Sequence, residues 1–160
     1  MNKVTAKTIL RSYKSLFSIA EQIDDLVLKR AMSTHSLKTD CVFCCAEKQV
    51  EQVVKLMNKK NNLINLKLLT DETLEALGEE CRTVLKNKYI ECLKPEETAK
   101  SLGISLRTYF RRLDKAEKSF AKELLRRGCD DEWFKENYFD QSWLKYLYEN
   151  TLEKAEKQEA

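Results

Sequence analysis

Between Ser105 and Arg127 the chain sets eight basic residues against three acids. At helical spacing, Ser105, Arg107, Thr108, Arg111, Arg112 and Lys115 point outward, while Leu106, Phe110 and Leu113, continued by Ala116 and Phe120, make an inner stripe. That division suits a helix that grips a polyanion with one side and keeps the other in a core. Arg107, Thr108 and Arg111 stand near the helix front, where side chains reach base edges in a major groove and an arginine can hold guanine bidentately. Arg112, Lys115 and Lys118 lie further back and suit phosphates, which supply affinity and salt dependence but no sequence information. Lys94 and Lys100 are further candidates for the phosphate backbone. Tyr109 has two readings, a hydrogen bond to phosphate or a packing residue. The bland reading of the whole segment is a solvated face, the usual fate of a charged helix after a glycine turn.

Other constellations carry less. Cys41, Cys44 and Cys45 form a C-x-x-C-C cluster with His35 six residues upstream. Zinc wants four ligands, usually as two close pairs, and Cys81 and Cys92 fall on separate turns of an expected helix. Buried or incidental thiols are therefore expected, with no metal and no cofactor; a site shared between two chains is the remaining route to a metal. The single histidine sits in a polar segment, and neither a G-x-S-x-G nor a phosphate-loop pattern occurs. No enzyme is expected.

The elements that position the cationic helix can be read from punctuation. Pro95 opens a short helix, where its missing N–H costs nothing. Ala99 lets a second helix cross closely, Gly103 takes the left-handed turn, and Ile104 plugs the angle. Ser105 caps the long basic helix, which runs to about Arg127 with Gly128 just beyond its end. Upstream, Thr70 or Asp71 caps a short helix ending near Gly78, and the next helix shows Cys81, Val84, Leu85, Tyr89 and Ile90 on one face.

Two long helices come first. Over 5–30, Ala6, Ile9, Tyr13, Leu16, Ala20, Ile23 and Val27 recur as a heptad seam. Residues 31–45 read as a loop. From 46 to 69, Val50, Val54, Met57, Ile64 and Leu68 form a second seam, with Asn61 in the row. The two seams are expected to meet in an antiparallel, coiled-coil-like hairpin, completed as a homodimer by a second copy. The organisation expected is thus 1–69 as hairpin for dimerisation or polymerase contact, 70–127 as helix-turn-helix, and 128–160 as an acidic aromatic helix. In that last stretch Trp133, Phe134, Tyr138, Trp143 and Leu147 are expected to be core.

Composition agrees. One proline and three glycines in 160 residues argue against many short strands, so the fold class expected is all-α. The net charge is +3; residues 128–160 hold nine acids and four bases, which leaves +8 on the rest. A basic body with an acidic tail suits a nucleic-acid binder. No segment approaches a membrane span, no secretory leader is expected from the basic start, and the six cysteines are expected to be reduced in a cytoplasm.

The run from Cys81 to Ala116 resembles region four of bacterial sigma factors. The features are Val84, Leu85, Lys88 and Tyr89 in the scaffold helix, Glu97, Ala99 and Leu102 to Ser105 in the turn, and Arg111, Leu113, Lys115 and Ala116 in the last helix. A long hairpin ahead of such a module resembles, by layout, the ArpU/RinA-type phage and prophage regulators of late transcription. The resemblance implies a sequence-specific DNA-binding regulator whose recognition helix, about 106–120, enters the major groove of double-stranded DNA. The alternative is a module that binds RNA polymerase or a sigma factor without reading DNA.

Overall fold

The computed structural model describes residues 3–33 and 42–159, with side chains described for 3–32 and 46–157. Among them are seven α-helices and no strand: α1 Lys3–Ser33, α2 Val42–Glu75, α3 Glu79–Leu85, α4 Pro95–Ser101, α5 Leu106–Arg126, α6 Asp131–Tyr138 and α7 Ser142–Glu159. A π-type turn, Lys86–Ile90, continues α3. The all-α class expected from the scarcity of turn formers is the one adopted. No described helix is long and apolar enough to cross a membrane.

The chain divides into two units, one of residues 1–14 with 68–160 and one of residues 15–67. The first turns of α1 therefore leave the expected 1–69 hairpin and cluster with the later helices. Val4, Thr5, Ala6, Thr8, Ile9, Leu10 and Ser12 are all buried, so these turns are enclosed on nearly every side. Two of the hydroxyls among them are satisfied locally, Thr8 donating to the Val4 carbonyl at 2.9 Å and Ser12 to that of Ile9 at 2.8 Å, while Thr5 donates to the Asp131 carboxylate.

In the unit of residues 15–67, α1 and α2 run antiparallel. Lys60 meets Asp24 at 2.7 Å and Arg30 donates to Gln52, so partners descend along α2 as they rise along α1. Leu16, Ala20 and Ile23 are buried, as the α1 seam requires, together with Leu63 and Leu66 of α2. The second seam is not where it was expected. Val50, Val54 and Met57 are 62%, 47% and 52% exposed, and Leu68 at its end is exposed as well. The reason is that α2 carries two apolar stripes. Half-buried Val53 and Leu56 lead into Leu63 and Leu66, and that stripe faces inward. The expected loop of residues 31–45 is helical at both ends, since α1 reaches Ser33 and α2 begins at Val42. His35, Cys41 and the side chains of Cys44 and Cys45 lie outside the described residues. Among those described, no group of three or more His, Cys, Asp or Glu side chains is placed to hold a metal ion.

In the other unit, α2 passes through Thr70 and Asp71 to Glu75, so neither begins a helix. Thr70 is fully buried, and Thr73 donates to the Leu69 carbonyl at 2.6 Å, which lets a polar residue sit inside a helix. Val84 and Leu85 of α3 are buried, and α3 and α4 both pack on α5. Beyond Gly128, Phe134, Tyr138, Leu144 and Tyr148 are buried, with the Phe134 and Tyr138 rings stacked at 5.4 Å. Those aromatics are core; Trp133, Trp143 and Leu147 are half-buried. Asp130 caps α6 by accepting the Trp133 N–H at 2.7 Å.

Candidate nucleic-acid interface

The connection from α4 to α5 follows from its residues. Pro95 is the first residue of α4, and the Lys94 N–H donates to the Glu97 carboxylate at 3.4 Å. At the other end Gly103 has φ +63°, a backbone that costs an L side chain about 1 kcal/mol or more. Its N–H donates to the Lys100 carbonyl at 3.2 Å, and that of Ile104 to Ala99 at 3.0 Å. This pair of bonds closes a Schellman motif and stops α4 within one residue. Ser105 then caps α5: its hydroxyl accepts the Thr108 N–H at 3.2 Å and lies 2.9 Å from the Thr108 hydroxyl. Ala99 of α4, which packs on α5, is 3% exposed.

The inner stripe of α5 is turned from the one expected. Tyr109, Leu113, Ala116, Phe120, Ala121 and Leu124 are buried, whereas Leu106 and Phe110 are 42% and 51% exposed. Tyr109 is fully buried, so the phosphate reading of its hydroxyl is corrected: it is a packing residue. Its hydroxyl has no hydrogen-bond partner among the described residues, and burial, then Glu117, raises its pKa. The same turn puts Glu117 on the inward face.

Glu117 is the residue that spacing alone missed, because an acid in a charged helix reads as solvated. It is 4% exposed and accepts the Tyr89 hydroxyl at 2.7 Å. Lys7 and Lys3 of α1 approach it at 3.3 and 3.6 Å. Two cations and a phenol satisfy this buried carboxylate and tie α1, the π-type turn and α5 together. Burial first, then Glu117, holds the Tyr89 phenol far above its ordinary range. The signal was available, since 113, 117, 120 and 124 are one helical stripe.

The cations sort by whether an acid neutralises them. Arg112 pairs with Glu80 at 3.4 Å, and Lys118 with Asp114 at 2.7 Å. Asp114 also takes Lys3; hydrogen bonds from Lys118, then Lys3, lower its pKa to about 2. Arg107, Arg111 and Lys115 are exposed and make no ion pair among the described residues, and the same holds for Lys122. Lys94 and Lys100 are exposed too. At i, i+4 and i+8, Arg107, Arg111 and Lys115 form one row along the outer face of α5. A shallow groove of about 670 Å³ runs beside its middle, lined by Lys3, Arg111, Asp114, Lys115, Lys118 and Lys122 among others. Thr108, half-buried, holds the cap.

What the site can do chemically is attract anions along one helix face, through the row Arg107, Arg111 and Lys115. Comparison with known proteins finds no matching family model, no matching curated protein and no matching solved structure.

Proposed function

We propose that this chain is a sequence-specific DNA-binding transcription regulator that lays α5 into the major groove. The observation that carries the reading is the row Arg107, Arg111 and Lys115, left without acid partners beside cations that have them. Buffered charges such as Arg112 and Lys118 must give up an ion pair before meeting a phosphate; the row need not. Arg107, Thr108 and Arg111 lie in the first two turns of α5, with Ser105 as its cap, the part that meets base edges in such helices. The resemblance of residues 81–116 to sigma region four supports the same reading.

The test is binding of the purified chain to a labelled duplex of mixed sequence across a salt series. Affinity falls steeply with salt, and Arg107→Ala/Arg111→Ala weakens binding by about tenfold or more, as expected when two groove contacts go. Equal, shallow binding by both proteins contradicts the reading.

One observation favours a second reading, a module that docks on RNA polymerase or a sigma factor. Leu106 and Phe110 are exposed on the front turns of α5, and protein interfaces are richer in such residues than DNA-binding faces. Leu106→Ala/Phe110→Ala separates the two: it leaves duplex affinity within about twofold on the first reading and abolishes polymerase capture on the second.

A further inference from the structure

The unit of residues 15–67 leaves a heptad row in solvent. Val50, Val54, Met57, Asn61 and Ile64 follow one another at alternating steps of four and three along α2, and Val50, Val54 and Met57 are about half exposed or more. The antiparallel partner in the chain, α1, uses a different stripe, ending in buried Leu63 and Leu66. The row is thus complete as a pattern; Ile64 is half-buried and Val50 and Val54 line a shallow groove with Arg30 and Ala31, but among the described residues most of the row is uncovered.

We propose that its occupant is the same row of a second copy, packed parallel and in register. The steps assign Val50, Met57 and Ile64 to d positions and Val54 and Asn61 to a positions. A β-branched residue and an asparagine at a favour two parallel strands, whereas β-branched Val50 and Ile64 stand at d, where two strands prefer leucine. Asn61 is the deciding residue. In a parallel pair it meets Asn61 of the second copy, and the two amides hydrogen-bond to each other. In an antiparallel pair an a position faces a d position, so Asn61 would lie against Met57 or Ile64 with its amide unsatisfied.

The flanks agree. Glu51, Asn58 and Asn65 occupy e positions and carry no cation, while Val53, Lys60 and Lys67 occupy g positions and carry no anion. Parallel strands set g against e, which brings Lys60 towards Asn65 of the second copy without like charges meeting. Antiparallel strands set g against g and e against e, which brings lysines together, although Lys60 already holds Asp24 of its own chain. The row spans fourteen steps along α2, about 21 Å at 1.5 Å per residue, which makes a short seam whose pairing depends on concentration. A two-fold dimer presents two copies of α5, which fits a palindromic rather than a single site.

The experiment is sedimentation equilibrium of the full chain over a concentration series, independent of any DNA. The wild type is expected to be a dimer at high concentration, and Val54→Asp/Met57→Asp a monomer with unchanged helical circular dichroism, because the replaced side chains lie in solvent within one chain. Asn61→Leu is expected to dimerise about tenfold or more tightly, since it removes a polar residue from an apolar seam. Orientation is read by a photo-crosslinking residue in place of Val50, mixed with isotope-labelled chain: crosslinks to labelled residues near 50 support the parallel pair. A monomer at every concentration overturns the proposal, as does a dimer untouched by Val54→Asp/Met57→Asp. Crosslinks to labelled residues near 64 overturn the parallel register.

Discussion

The first and second helices announce themselves in the same way, each by a heptad row of apolar residues, yet they end differently. The row on α1 is buried at Leu16, Ala20 and Ile23, and the row on α2 stands in solvent at Val50, Val54 and Met57. Period therefore identifies an apolar stripe and says nothing about what covers it. α2 has a second stripe, and the chain chose that one for its own core. The same contrast recurs within α5, where Phe120 is fully buried and Phe110, with the same side chain, is half exposed.

The contrast can be broken by substitution, most forcefully in the cores. Phe120→Ala is expected to cost about 3–5 kcal/mol in denaturant unfolding, while Phe110→Ala stays within about 0.5 kcal/mol. Equal losses would mean that Phe110 is core after all. Leu66→Ala against Val54→Ala asks the same of α2, with about 2–5 kcal/mol expected for the buried leucine and little for the valine. Glu117→Ala is expected to cost about 2–4 kcal/mol, because the Tyr89 hydroxyl and Lys7 lose their shared acceptor. Gly103→Ala should cost about 1 kcal/mol through its left-handed backbone, since the space around it is open.

Tyr109→Phe sharpens the α5 contrast at a smaller scale. Removing a buried hydroxyl without a partner should leave stability unchanged or raised by up to about 1 kcal/mol, with DNA affinity unaltered. Lost affinity would return Tyr109 to the binding face. Titration gives the mildest test. Burial pushes Tyr138 up to about 12 and raises Tyr89 and Tyr109. The folded form resists their ionisation, so stability is whole below the ordinary phenol value of about 10 and falls as pH rises through the raised pKa values. Asp114, lowered to about 2, works in the opposite sense: its contribution is present above the ordinary carboxylate value of about 4 and is lost as pH falls through about 2. Half exposure keeps that acid limb small.

Turn chemistry was the most legible part of the sequence. Pro95, Gly103, Ser105 and Gly128 each do what their residue types dictate, because one backbone bond or one φ angle decides them. Phase was less legible. Leu106 and Phe110 look like the start of the inner stripe, and only the packing of α3 and α4 on α5 turns the helix so that Tyr109 and Glu117 face in. The full burial of the first turns of α1 went unread for a related reason. Thr8 and Ser12 look like surface residues until backbone acceptors are counted for their hydroxyls, and Thr5 until it meets the Asp131 carboxylate. Of the candidate site, the helix and its cations were legible; which of them are neutralised was not, since Glu80 lies far from Arg112 in the chain.

The most direct test of the DNA reading removes the same amount of charge from two places. Arg107→Ala/Arg111→Ala and Lys145→Ala/Lys157→Ala each delete two cations, the first from the row on α5 and the second from exposed positions of α7. Duplex affinity across a salt series is the readout. The account predicts that the α5 pair loses about tenfold or more while the α7 pair stays near wild type. Equal losses would mean that net charge, and not α5, holds the DNA, and the central claim would fail.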